Sequence, residues 1–162
     1  MSGMSVTPLR EVRIAFTEPY FISTQMALIR RKDAARFSVG LFFAPSSAIG
    51  VIKDTTGDYF VETQLSSYKR VAYKDPRAAV EDLINNDIDM FIYDEPMVIY
   101  LASENETRGL TVLLNPFTKE PLAWGIRKDN AELLDSANNF LRTLNKEGKL
   151  NKIIKYWIPF AK

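Results

Sequence analysis

The sequence predicts an α/β fold, a mostly parallel twisted sheet with helices on both faces. Three observations carry this. Between Ile49 and Leu114, short apolar runs alternate with helical patterns at a spacing that calls for right-handed crossovers. Helix-start residues follow the apolar runs directly, as at Thr55, Asp75 and Asp94. Finally, Thr55-Thr56 and Asp94 fall at the carboxyl ends of strands, where α/β sheets hold their ligands.

Each element follows from local pattern. An extended Ser5-Val6 pair leads into Thr7-Pro8-Leu9-Arg10, which reads as a turn with proline in the first helical position. Val12 to Phe16 alternates as a strand, Glu18-Pro19-Tyr20-Phe21 breaks it, and Gln25 to Arg31 resumes as a buried apolar strand. Residues 32 to 48 read as an irregular loop, although Val39, Leu41, Phe42 and Phe43 need covering. A strand from Ile49 runs into Thr55-Thr56-Gly57, followed by a helix over Asp58 to Ser66 and a short strand over Arg70 to Tyr73. Asp75 caps a helix with Pro76 first and Ala79, Val80, Leu83 and Ile84 as its apolar stripe.

Ile88 to Tyr93 is a strand ending at Asp94-Glu95-Pro96, with a helix over Met97 to Ser103 and strands over Leu110 to Leu114 and Pro121 to Lys128. Asp129 and Glu132 form a capping-box-like start to a helix striped by Leu133, Leu134, Ala137, Phe140, Leu141 and Leu144. Gly148 ends it. The last helix shows Leu150, Ile153, Ile154 and Trp157 on one face before Pro159.

Composition narrows the function. With 162 residues, 46% of them hydrophobic, the chain can bury one sizeable core or two small lobes. A net charge of +1 provides no field for nucleic acid or an anionic membrane, so small neutral or zwitterionic partners are expected. The chain has no Cys and no His, which excludes disulfides, thiolate and imidazole catalysis and His-ligated zinc. No cofactor is implied. The opening MSGMSVTPLREVR lacks the apolar core of a signal peptide, so as written no export is expected and the chain reads as cytoplasmic.

The stretch Ile49 to Phe60 is the chemical centre. A strand entering a Thr-Thr-Gly turn at a helix start directs backbone N–H groups and the positive end of the helix dipole at an anion. Taken alone, it reads first as an ordinary helix with Thr55 as its cap, just as Asp94 reads as a cap and Arg10 as a solvated charge.

Four segments in fixed order, SGMSVTPLR with FTEPY, GVIKDTTG, IDMFIYDEP and Trp124 to Trp157, resemble the type II bacterial extracellular solute-binding proteins of amino-acid ABC transporters. The resemblance implies two α/β lobes joined by crossover strands, with an amino acid clamped between them and a transporter permease as partner. Arg10 would pair bidentately with the ligand carboxylate. Thr55 and Thr56 would form the anion turn, Gly3 and Ser5 would complete the carboxylate and ammonium shell, and Asp94 would accept from the ammonium. Tyr20, Tyr59, Tyr93 and Trp124 are expected to pack rather than stack on ligand. A polar or basic amino acid is the expected ligand, and a periplasmic location goes with the family.

Against the family pattern, residues 1–24 correspond to a remnant of the first lobe with a hinge strand. Residues 25–118 form a complete second lobe, and 119–162 the return strand and C-terminal helices of the first. Truncation of the first lobe is expected, and with it weak ligand binding, exposed apolar stripes and self-association. Asp54 stands where the family carries glycine and would oppose an incoming carboxylate. Two other readings remain: a dehydratase of prephenate-like substrates using Asp54, Asp94 and Glu95 as acid/base groups, and a sensory domain of a larger receptor.

Overall fold

The structure, a computed structural model, describes residues 3–38 and 47–159. The chain divides into two compact units, Met1–Ser23 with Glu120–Lys162, and Thr24–Lys119. The first unit opens with β1 (Met4–Ser5), α1 (Pro8–Glu11), β2 (Ile14–Phe16) and β3 (Phe21–Ser23). The second supplies β4 (Gln25–Arg30), α2 (Ala34–Ser38), β5 (Ala48–Ile52), α3 (Thr56–Gln64), β6 (Lys69–Tyr73), α4 (Pro76–Ile84), β7 (Met90–Asp94), α5 (Glu95–Glu104) and β8 (Leu110–Leu113). The chain then returns to the first unit through β9 (Glu120–Ala123), β10 (Gly125–Arg127), α6 (Ala131–Lys146) and α7 (Lys149–Trp157).

The second unit is a five-stranded sheet in the order β6-β5-β7-β4-β8. β5 pairs in parallel with β6 and β7, whereas β4 lies antiparallel between β7 and β8. The strands connected through α3, α4 and α5 therefore share one direction, as helical crossovers require. Four of these five strands thus run in one direction and β4 runs against them, a mixed sheet with the crossovers that the sequence predicts.

Every residue of β4 is buried, so its period-two alternation feeds two cores. Met26 and Leu28 join Ala79, Val80 and Leu83 of α4 and Val98 and Leu101 of α5. Ala27 and Ile29 join Phe37 of α2 and Val61 of α3. Leu28, Ile29, Phe91 and Ile92 have no exposed surface, and burial of each such side chain contributes about 1.5–3 kcal/mol.

The first unit holds the three-stranded sheet β1-β9-β3 and the pair β10-β2, all antiparallel. The strand predicted over Pro121 to Lys128 is thereby split at Trp124, because its two halves serve different partners. Phe21, predicted to end a break over Glu18-Pro19-Tyr20-Phe21, opens the strand β3 because β9 offers it an edge. Asn130, not Asp129, caps α6: the Asn130 side chain accepts from the Leu133 N–H at 3.0 Å, while Asp129 pairs with Arg127. Ala137 and Leu141 of the α6 stripe are buried, whereas Leu133, Phe140, Ile153 and Trp157 are at least half exposed and α7 buries no residue.

Of the irregular loop predicted over residues 32 to 48, residues 32–38 are helical, as a 3-10 turn at Arg31–Asp33 followed by α2, and Ala48 already belongs to β5. Phe37 enters the core and Asp33 pairs with Arg30 at 2.6 Å, which fixes the turn. Val39, Leu41, Phe42 and Phe43 lie outside the described residues.

Candidate functional site

Gly3, Ser5 and Arg10 belong to the first unit, and Thr55, Thr56 and Asp94 to the second. In the first, Thr7 caps α1 by accepting the Arg10 N–H at 3.3 Å, and Pro8 follows in the first turn. The Arg10 guanidinium folds back and donates through Nη1 to the Ser5 carbonyl at 2.9 Å. The buried Ser5 hydroxyl donates to Glu120 Oε2 at 2.7 Å, so this hydroxyl serves the unit's interior. Gly3 is exposed, and a Cβ there would meet the Tyr20 hydroxyl at 3.4 Å. Arg10 lines an open depression of about 370 Å³ with Met4, Leu9, Arg13 and Ile14.

In the second unit, Thr55 is the cap of α3. Its hydroxyl accepts the Asp58 N–H at 3.3 Å and donates to the Ile52 carbonyl at 2.7 Å, which fastens the turn. Asp54 precedes it in the left-handed region at φ 63°, the conformation for which glycine is the default residue. The Asp54 N–H donates to the buried Asp58 carboxylate at 2.9 Å, and Asp58 is also paired with Arg70 at 2.5 Å. Thr56 opens α3.

Asp94 ends β7 immediately before α5, yet its side chain makes no capping hydrogen bond. It faces β4 instead. Gln25 is its register partner in β4, and the Gln25 Nε2 donates to Asp94 Oδ1 at 2.5 Å and to Thr56 Oγ1 at 3.2 Å. One amide therefore joins the end of a strand to the start of a helix. Sequence reasoning missed Gln25 and Glu120. The available signals were a polar residue heading the run QMALI and an acidic residue just before a strand.

Burial, and secondly the negative Asp94, pushes the Tyr93 hydroxyl above its ordinary value, and burial alone does the same for Tyr20. Both stay neutral at physiological pH. Tyr20, Trp124 and Phe140 form an aromatic ladder with ring centroids 6.1 and 6.2 Å apart. Tyr59 does not pack as expected; it is 68% exposed on α3. Among the described residues, no acidic cluster could hold a metal ion, and no helix is long and apolar enough to cross a membrane.

The model of the bacterial extracellular solute-binding proteins, family 3, matches residues 1–160. The chain is 29% identical over 162 residues to the ABC transporter arginine-binding protein 1 of Escherichia coli (strain K12), covering 98% of this chain and 65% of that protein. It is also 29% identical over 163 residues to the arginine-binding periplasmic protein of Mannheimia haemolytica, with 98% and 65% covered. The chain thus spans about 65% of the length of these curated relatives. Among solved structures, the ancestral amino acid-binding protein AncCDT-1, a precursor of cyclohexadienyl dehydratase, superposes with a TM-score of 0.82 at 28% identity, covering 97% of this chain and 67% of that one.

Proposed function

The chain belongs to the bacterial extracellular solute-binding proteins, family 3, and we propose that it binds a polar or basic amino acid as the solute-binding module of an ABC-type transport system. The observation that carries this reading is the convergence of Thr56 and Asp94 on one amide. A hydroxyl at a helix start and a carboxylate at a strand end supply partners for a ligand carboxylate and ammonium. Arg10 adds a planar cationic fork suited to the carboxylate, and Gly3 and Ser5 adjoin it in sequence. Thr55 acts by holding the turn. Two relatives named for arginine support the basic class.

In this reading Asp94 binds the ligand ammonium, and Asp54, Asp94 and Glu95 perform no chemical step. A transporter permease is the partner and the periplasm the compartment, both by analogy with the relatives. Self-association through the exposed Leu133, Phe140, Ile153 and Trp157 is part of the reading; a light-scattering mass of one chain at moderate concentration would count against it.

Thermal unfolding with L-arginine, L-lysine and L-glutamine at millimolar concentration tests the binding. A ligand at a hundred times its dissociation constant adds about 2.7 kcal/mol of stability. Arg10→Met, Thr56→Val and Asp94→Asn are each expected to shrink the shift. A cooperative transition unmoved by all three amino acids would sink the reading.

A further inference from the structure

We infer that Gln25 is a positioning residue, whose side-chain amide sets the separation and orientation of Thr56 and Asp94. This rests on the reading of those two residues as a ligand-binding pair. Gln25 has no exposed surface, and among the described residues its Oε1 has no hydrogen-bond partner. A buried amide oxygen left unmatched costs stability, and the rest of β4 up to Ile29 is apolar, so packing alone would be served better by Met or Leu. The amide offers two N–H donors on one nitrogen, directed at Asp94 and at Thr56. An apolar side chain could do neither.

The surroundings fix the amide. The Gln25 N–H donates to Thr118 Oγ1 at 3.0 Å, its carbonyl accepts from the Phe117 N–H at 2.9 Å, and its register places it opposite Asp94. Gly57, the second residue of α3, leaves the space: a Cβ there would lie 2.7 Å from Gln25 Oε1. The glycine of the Thr-Thr-Gly turn therefore accommodates this amide rather than a left-handed backbone. Thr56 and Asp94 come from different elements, and the amide links the two directly.

Two measurements on the full chain test the role. In the ligand-free protein, NMR is expected to show slowly exchanging Gln25 side-chain amide protons whose shifts move on Asp94→Asn. Calorimetry with L-arginine is expected to show affinity weakened about tenfold to a hundredfold by Gln25→Met. The double variant Gln25→Met with Thr56→Val is expected to fall within about threefold of the weaker single variant, because the two act through one arrangement. Unchanged affinity in a folded Gln25→Met protein, or fully additive losses, would overturn the inference. So would amide protons that exchange freely and ignore Asp94→Asn. If wild-type protein binds none of L-arginine, L-lysine and L-glutamine, the proposed function fails on its own, and the amide spectrum still decides whether Gln25 holds Asp94.

Discussion

The Ser5 hydroxyl donates to Glu120 Oε2 at 2.7 Å, a buried contact between residues 115 positions apart. It ties β1 to the head of β9 on the same strand pair that the backbone registers through Ser5 and Leu122. Arg10 in turn donates to the Ser5 carbonyl, so the position of a proposed ligand residue depends on this pair. Ser5→Ala is expected to lower stability by about 1–3 kcal/mol, since it takes a donor from a buried carboxylate. Urea unfolding measures that loss, and an unchanged midpoint would show the bond to be dispensable.

Asp54 sits at φ 63° on the exposed side of the Thr-Thr turn. Relief of the left-handed conformation predicts that Asp54→Gly gains about 0.5–1 kcal/mol. The same change removes a negative charge next to the proposed carboxylate-binding turn, so amino-acid affinity should rise as well. Thermal unfolding with and without L-arginine separates the two effects; a stability loss would contradict the backbone argument.

Arg30 is a buried clamp. Its Nη1 donates to the carbonyls of Leu83 and Ile88 at 2.6 Å each, and its Nε pairs with Asp33 at 2.6 Å. These bonds anchor the end of α4 and the approach to β7 against β4. Arg30→Met is expected to cost about 2–4 kcal/mol by taking a charged donor from two buried carbonyls and leaving Asp33 without its partner. Arg30→Lys should recover less than half of it, because an ammonium cannot reproduce the forked geometry. Chemical unfolding of the three proteins decides it.

Acid should weaken the fold through two surface pairs. The Arg142 hydrogen bond holds the Glu18 carboxyl below its ordinary value of 4.5, and Arg108 does the same for Glu81. A carboxyl lowered in the folded state contributes stability above its unfolded value, and that contribution is lost as pH falls through the folded value. The loss therefore begins below 4.5. Both pairs are exposed, so the effect is small and screened by salt. The double variant Glu18→Gln with Glu81→Gln should show a flatter midpoint-against-pH curve below pH 4.5.

Local chemistry in the sequence determined most elements and their order. The crossover pattern from Ile49 to Leu114, the Thr55 and Asp75 caps and the Pro8 and Pro76 helix starts depend on residues within a turn of one another, and all are present. The grouping of Thr56 and Asp94 as site candidates came from strand-end placement and from resemblance. Tertiary structure decided what spacing cannot encode. The reversed β4 brought Gln25 opposite Asp94, and the pairing of β1 with β9 set Ser5 beside Glu120. Asp94 consequently serves a cross-strand amide and not the cap that its position before Glu95-Pro96 suggested. Helix and strand periods record which face of an element is buried; the partner waiting on that face is chosen only when distant strands pair.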